Sequence, residues 1–153
     1  MARRAFSSLA VVAALLSAST VAAAPSRRPF YGTWLIAEAH PAPWHDARDP
    51  STAPFDDHLV GKSIVFTAGG ISGPRPLACR GGRYQMLQVQ PDTLFQGALT
   101  DPTRQAAALG FRGSAITTLE TGCAADIAFH FLGARTALFA LNNLIYTLRK
   151  QGR

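Results

Sequence analysis

Between His40 and His58 the chain reads HPAPWHDARDPSTAPFDDH, which holds three of its four histidines and four of its nine carboxylates. Imidazole nitrogens and carboxylate oxygens are what zinc and similar ions take as ligands. His40, His45, Asp57 and His58 are therefore candidate metal ligands, with Asp46, Asp49 and Asp56 beside them. Their spacing does not favour a metal centre. Ligands must converge on rigid elements and be held there by outer hydrogen bonds. Here they are strung along a stretch with four prolines, and no two histidines stand four apart on a helix. Aspartate beside proline favours turns, and Arg48 offers a surface partner. The expectation is no bound metal.

Other chemistries find less support. A nucleophile elbow needs Gly-x-Ser-x-Gly, and GGISG around Ser72 lacks that spacing. No Gly-x-Gly-x-x-Gly phosphate loop occurs. Glu38 and Glu120 are the only glutamates, and nothing in their spacing makes them an acid–base pair. His130, between Phe129 and Phe131, is expected to face solvent or satisfy a structural contact. No catalytic residue and no cofactor are assigned. Enzymatic activity is left open, with the balance against it.

The elements that would position these residues begin with a leader. Arg3 and Arg4 precede an apolar run from about Leu9 to Leu16, and small residues follow to Ala24. This is the pattern of a secretory signal peptide, too short for a permanent span of roughly 20 apolar residues. Residues 1–23 are expected to be removed after Ala23, leaving a single domain over 24–153 in the periplasm or outside the cell. Cutting after Ala24 would leave Pro25 first, a poor peptidase substrate. The pair Arg3-Arg4 with Phe6 also partly matches a twin-arginine export motif. Without the leader the net charge falls from +6 to about +4. The basic residues are scattered and not interleaved with aromatics, which gives little support to nucleic-acid binding. Cys79 and Cys123 are the only cysteines, and in an oxidising compartment they are expected to form one disulfide.

The remaining chain reads as short strands broken by Gly, Pro and Asn. Candidates are Tyr31–Ala39, GKSIVFT, a brief strand near GGISGPRP, Arg83–Val89, SAITTLETG and ADIAFHFLG, with Pro91-Asp92 leading into TLFQGAL. One short helix is expected over DPTRQAAALGF, with Asp101 as N-cap, Pro102 at the first helical position and Gly110 as the stop. Asn142-Asn143 separates two apolar runs and suits the positive φ angles of a type I′ hairpin. The fold class is all-β, mainly antiparallel. Eight or nine strands in so small a domain suggest a barrel, because closure removes sheet edges.

The stretch FYGTW resembles the opening motif of lipocalins and their calycin relatives, matched here by Phe30, Gly32 and Trp34. The resemblance implies an eight-stranded barrel closed at one end by Trp34, with Arg149 packing over the indole as a cation–π partner. The match is partial: Pro29 replaces a basic residue before the glycine, and Thr100-Asp101 is followed by Pro102 where the family has tyrosine. It also implies that the 40–58 loop lies over the barrel mouth, where Trp44 and Phe55 could fold back. The function so implied is a non-enzymatic binding module for a small apolar ligand. Trp34, Trp44, Phe55, Tyr84, Phe95 and Phe129 are the candidate ligand contacts. An envelope protease inhibitor or interaction protein of calycin type is the alternative, and an enzyme with its site in the barrel mouth comes third. No nucleic-acid partner and no stable membrane insertion are expected.

Overall fold

The computed structural model describes residues 28–152 except 57, 124 and 125. The leader expected at 1–23, and Asp57, lie outside the described residues. Nine strands follow in chain order: β1 (Gly32–Pro41), β2 (Ser63–Thr67), β3 (Gly70–Ser72), β4 (Cys79–Arg80), β5 (Gln85–Val89), β6 (Ile116–Glu120), β7 (Phe129–Gly133), β8 (Thr136–Leu141) and β9 (Leu144–Lys150). All pairings are antiparallel, and the sheet runs β4-β3-β2-β1-β9-β8-β7-β6-β5. Each strand therefore lies beside its sequence neighbour except at one place. The first strand pairs with the last, while β4 and β5 form the two margins of the sheet.

This corrects the expectation of eight strands in a closed barrel. The ninth strand comes from the Gly70–Arg80 stretch, which yields β3 and the two-residue β4. So short a strand has few backbone groups to offer, and the sheet curls without zipping β4 to β5. A disulfide crosses between the two sides instead. Cys79 of β4 is bonded to Cys123, just after β6, with Cα atoms 5.9 Å apart. Gly70 lets β4 approach β3: its φ is +131°, and a Cβ there would run into the Cys79 carbonyl oxygen.

Alternation along the strands divides the apolar residues between two layers. The inner face of the curl is filled by Trp34, Ile36, Phe66, Leu119, Phe129 and Tyr146, among others. Phe139 stacks on Tyr146 at 4.9 Å, and Phe66 meets Phe129 edge-on at 5.1 Å. Phe129, Phe66, Trp34, Phe139 and Tyr146 thus fill the interior with side chains, as small barrels often do. On the outer face Ile116, Leu138 and Ile145 pack under a cap made of the helix α1 (Pro102–Ala108) and a kinked 3₁₀ segment, Pro91–Gly97.

The local signals for helix and hairpin act as their chemistry requires. The Asp101 side chain accepts from the Arg104 N–H, Pro102 opens α1, and Gly110 takes φ +97° beyond its end. Asn142 and Asn143 both adopt positive φ between β8 and β9. No helix among the described residues is long and apolar enough to cross a membrane.

Because its cysteines are 44 positions apart, the disulfide removes considerable freedom from the unfolded chain. Replacing Cys79 and Cys123 together by serine is expected to lower unfolding free energy by about 2–4 kcal/mol. Urea titration checks this. An unchanged midpoint would mean that the β4–β5 margin is held by packing alone.

Candidate functional site

The 40–58 loop is tied to the β8–β9 turn. The Ala42 N–H donates to the Asn143 carbonyl and the Phe55 N–H to that of Asn142. The Asn143 side chain donates to the carbonyls of Ser51 and Ala53, and its Oδ1 accepts from Trp44 Nε1 at 2.9 Å. Trp44 thereby packs on the outer cap, 5.8 Å from the Phe95 ring. Phe55 is 64% exposed.

The histidines of this loop serve separate local contacts. His40 lies 3.5 Å from Glu38, and His58 lies 3.2 Å from Asp56. His45 Nδ1 is 3.0 Å from the Thr52 carbonyl oxygen. Asp49 caps the 3₁₀ turn Pro50–Thr52, and its hydrogen bonds from Ser51 hold its carboxyl below the usual range. Among the described residues no three His, Cys, Asp or Glu side chains come together as a metal cage.

At the start of β1, Trp34 is fully buried and donates Nε1–H to the Phe30 carbonyl at 2.9 Å. The cation over its ring is Lys150, with Nζ 5.5 Å from the centroid. Lys150 also donates to the Pro29 carbonyl, and burial together with the nearby Arg135 charge lowers its pKa. Arg149 takes another place because strand neighbours face opposite ways. Trp34 is registered with Lys150 and Leu35 with Arg149, whose guanidinium lies 3.6 Å from Glu38. Gly32, at φ +118°, lets β1 turn in beside Lys150.

The six candidate ligand contacts do not share one site. Trp34 and Phe129 belong to the filled interior, and Tyr84 joins it at the margin beside Phe30, 5.0 Å away. Trp44 and Phe95 meet on the outer face, and Phe55 stands apart.

Among the clefts formed by the described residues, two are lined by phenylalanine or tryptophan side chains. The first, about 440 Å³, opens at the end of the sheet where the inner and outer layers meet. Its wall includes Phe30, Met86, Phe111, Ile116, Phe131 and Leu132, and Arg112 supplies its one charged side chain. Met86 is registered with the buried Leu119, so it points to the inner face. It is nonetheless 37% exposed because β5 is a margin strand. The sequence hides this cleft, since its residues come from four separated segments.

The second cleft, about 430 Å³, lies on the outer face between Trp44, Phe95, Gln96, Asp126, Asn142 and Asn143. Phe95 and Gln96 both sit in the left-handed region, at φ +50° and +61°. Such backbone costs on the order of 1 kcal/mol per non-glycine residue. His130 holds it in place from below. The ring is 2% exposed, and its Nε2 accepts the Phe95 N–H at 3.2 Å. The ring proton is therefore on Nδ1, within 2.8 Å of Thr118 Oγ1. Phe95 completes the contact edge-on, 4.7 Å from the imidazole. His130 is a satisfied structural histidine, and its alternation with Phe129 and Phe131 was the sequence signal for its face.

Comparisons with protein-family models, curated proteins and solved structures find no match to this chain.

Burial pushes the His130 pKa down to about 4. The unfolded state, near 6.5, binds the proton first, so falling pH favours unfolding throughout that interval. Stability should be fully present above pH 6.5 and fall by about 3 kcal/mol on approaching pH 4. Urea unfolding of the parent and of His130→Gln, which keeps an uncharged acceptor, tests this. Parallel pH slopes for the two proteins would rule out His130 as the source.

Proposed function

We propose that this protein is a non-enzymatic binding module that takes a small apolar ligand in the cleft beside β5. The lipocalin-like resemblance of FYGTW supports the reading at the level of architecture. Sequential antiparallel strands with the first beside the last are what an up-and-down barrel with one open margin requires. The observation that carries the reading is the contrast between a filled interior and a cleft of about 440 Å³ at its rim. That volume is in the range of small-molecule sites, and an apolar wall with one cation is their usual composition. The ligand is held beside the barrel's core, between its two layers, with Met86 and Leu132 as the exposed apolar lips. The leader and the disulfide are compatible with work in the periplasm or outside the cell.

An interaction protein, including a protease inhibitor of calycin type, is the second reading. It is favoured by β5 itself. The strand QMLQV carries neither charge nor proline and has no strand partner on its outer side among the described residues. Natural edge strands are usually protected by such residues, and an unprotected one can accept a partner's strand.

The apolar-ligand reading is tested with a fluorescent naphthylamine probe. Met86→Arg and Leu132→Glu should each weaken probe binding by about tenfold or more. Phe55→Ala, an exposed aromatic outside the cleft, should leave it unchanged. Equal loss in all three proteins, or none in the first two, would count against the cleft.

A further inference from the structure

The apolar cleft is a gap in the sheet. β6 and β7 pair only at Thr118 with His130 and at Leu119 with Phe129. In that register Thr117 would face Phe131 and Ile116 would face Leu132, yet neither pair forms. The cleft lies between the parted strand ends, with 115–117 on one wall and 131–134 on the other. Its lining comes from both faces of the sheet: Phe30 and Phe131 belong with the inner core, Phe111 and Ile116 with the outer one. An intact sheet would keep those layers apart. We propose that the ligand of this cleft is a short apolar peptide bearing a carboxylate, which enters extended between β6 and β7. This rests on the reading of the cleft as the ligand site and names the class of ligand.

The main chain selects a peptide. Residues of an antiparallel strand turn their N–H and C=O groups alternately to the two neighbouring strands. Ile116 and Thr117 are both registered with β5, so one of them turns its groups into the gap. On the far wall Leu132 is the extra residue of a bulge. Phe131 is opposite Ala137 and Gly133 opposite Thr136, which leaves Leu132 opposite no residue of β8. Outside the ladders, no main-chain hydrogen bond among the described residues reaches 115–117 or 131–134. A ligand made only of hydrocarbon would strip water from these groups and offer no bond in return. An extended peptide carries donors and acceptors at strand spacing. Its successive side chains point to opposite faces, one toward Phe111 on the outer side and the next toward Phe131 on the inner.

Charge selects the carboxylate. Arg112 is exposed, it has no ion pair among the described residues, and no aspartate or glutamate lines the cleft with it. A ligand carboxylate would meet one cation and no anion. A ligand ammonium would meet only a like charge.

The test follows backbone amides of ¹⁵N-labelled protein during titration with acetyl-Val-Phe-Val carrying a free carboxylate. Saturable shifts should appear at 116–117 and 131–133 with a Kd of order 1 mM, and at least one of these amides should exchange more slowly with solvent. The same peptide with N-methylated amides, as apolar but unable to pair, should bind about tenfold more weakly. Its C-terminal amide should bind the parent about fivefold more weakly than the acid, while Arg112→Gln should bind acid and amide alike. No saturable shift by about 10 mM overturns the proposal, as does equal binding of the N-methylated peptide. Decanoate is the competing probe: binding as tight as the peptide's would make the ligand an acyl chain and overturn the peptide assignment. Equal binding of acid and amide by the parent overturns the role given to Arg112. If the peptide fails while the naphthylamine probe still binds and Met86→Arg weakens it, only the peptide proposal falls. Failure of both probes removes the cleft as a ligand site.

Discussion

The antiparallel ladder between β1 and β9 joins the two halves of the sheet, and everything else hangs from it. Strands β2 to β4 extend on one side of it and β8 to β5 on the other. Its register runs from Trp34 opposite Lys150 to Pro41 opposite Leu144, with a shift between Ile36 and Glu38. Trp34 and Tyr146 meet the interior from its two strands, so the central pair of strands also centres the core. The disulfide secures the far side, where no strand pairing does so. One ladder and one covalent link together hold the curl.

That arrangement explains why, among the described residues, side chains fill the interior while clefts lie at the margins. A curled sheet with large aromatics on its inner face fills itself, as the Phe66, Phe129, Phe139 and Tyr146 contacts show. What remains open lies where a layer ends. The apolar cleft marks the end of the sheet, and the polar one lies where the 40–58 loop, the Pro91–Gly97 segment and the final hairpin come together. Their unlike linings follow from unlike origins, strand ends in one case and turns in the other.

Much of the fold was legible because it depended on local chemistry. Asp101, Pro102 and Gly110 mark the two ends of the helix through cap and stop preferences, and two asparagines between apolar runs suit the positive φ angles of a hairpin turn. The cysteine pair was legible from count alone. The rest depended on contacts between distant parts. Nothing in TLFQGAL announces a left-handed Phe95, because the group that holds it is His130, 35 positions away. Likewise, alternation placed Arg149 and Lys150 on opposite faces but could not say which would reach Trp34. The open margin followed from the brevity of β4, a fact of length that the eight-strand plan had absorbed. For the 40–58 loop the composition raised the question of a metal and the lipocalin resemblance implied a lid, while Asn143 decides its place through three side-chain hydrogen bonds.

The pairing of β1 with β9 also sets the order in which the molecule can be made. A strand near the start of the domain must wait for one more than a hundred residues later, so the central ladder cannot form on a growing chain until that last segment has emerged. Until then the inner face of β1, with Trp34 and Ile36, has no β9 beside it. For this protein, the sheet is joined only once residues 144–150 have been made, and a nascent fragment that stops short of residue 144 lacks the middle of its own sheet.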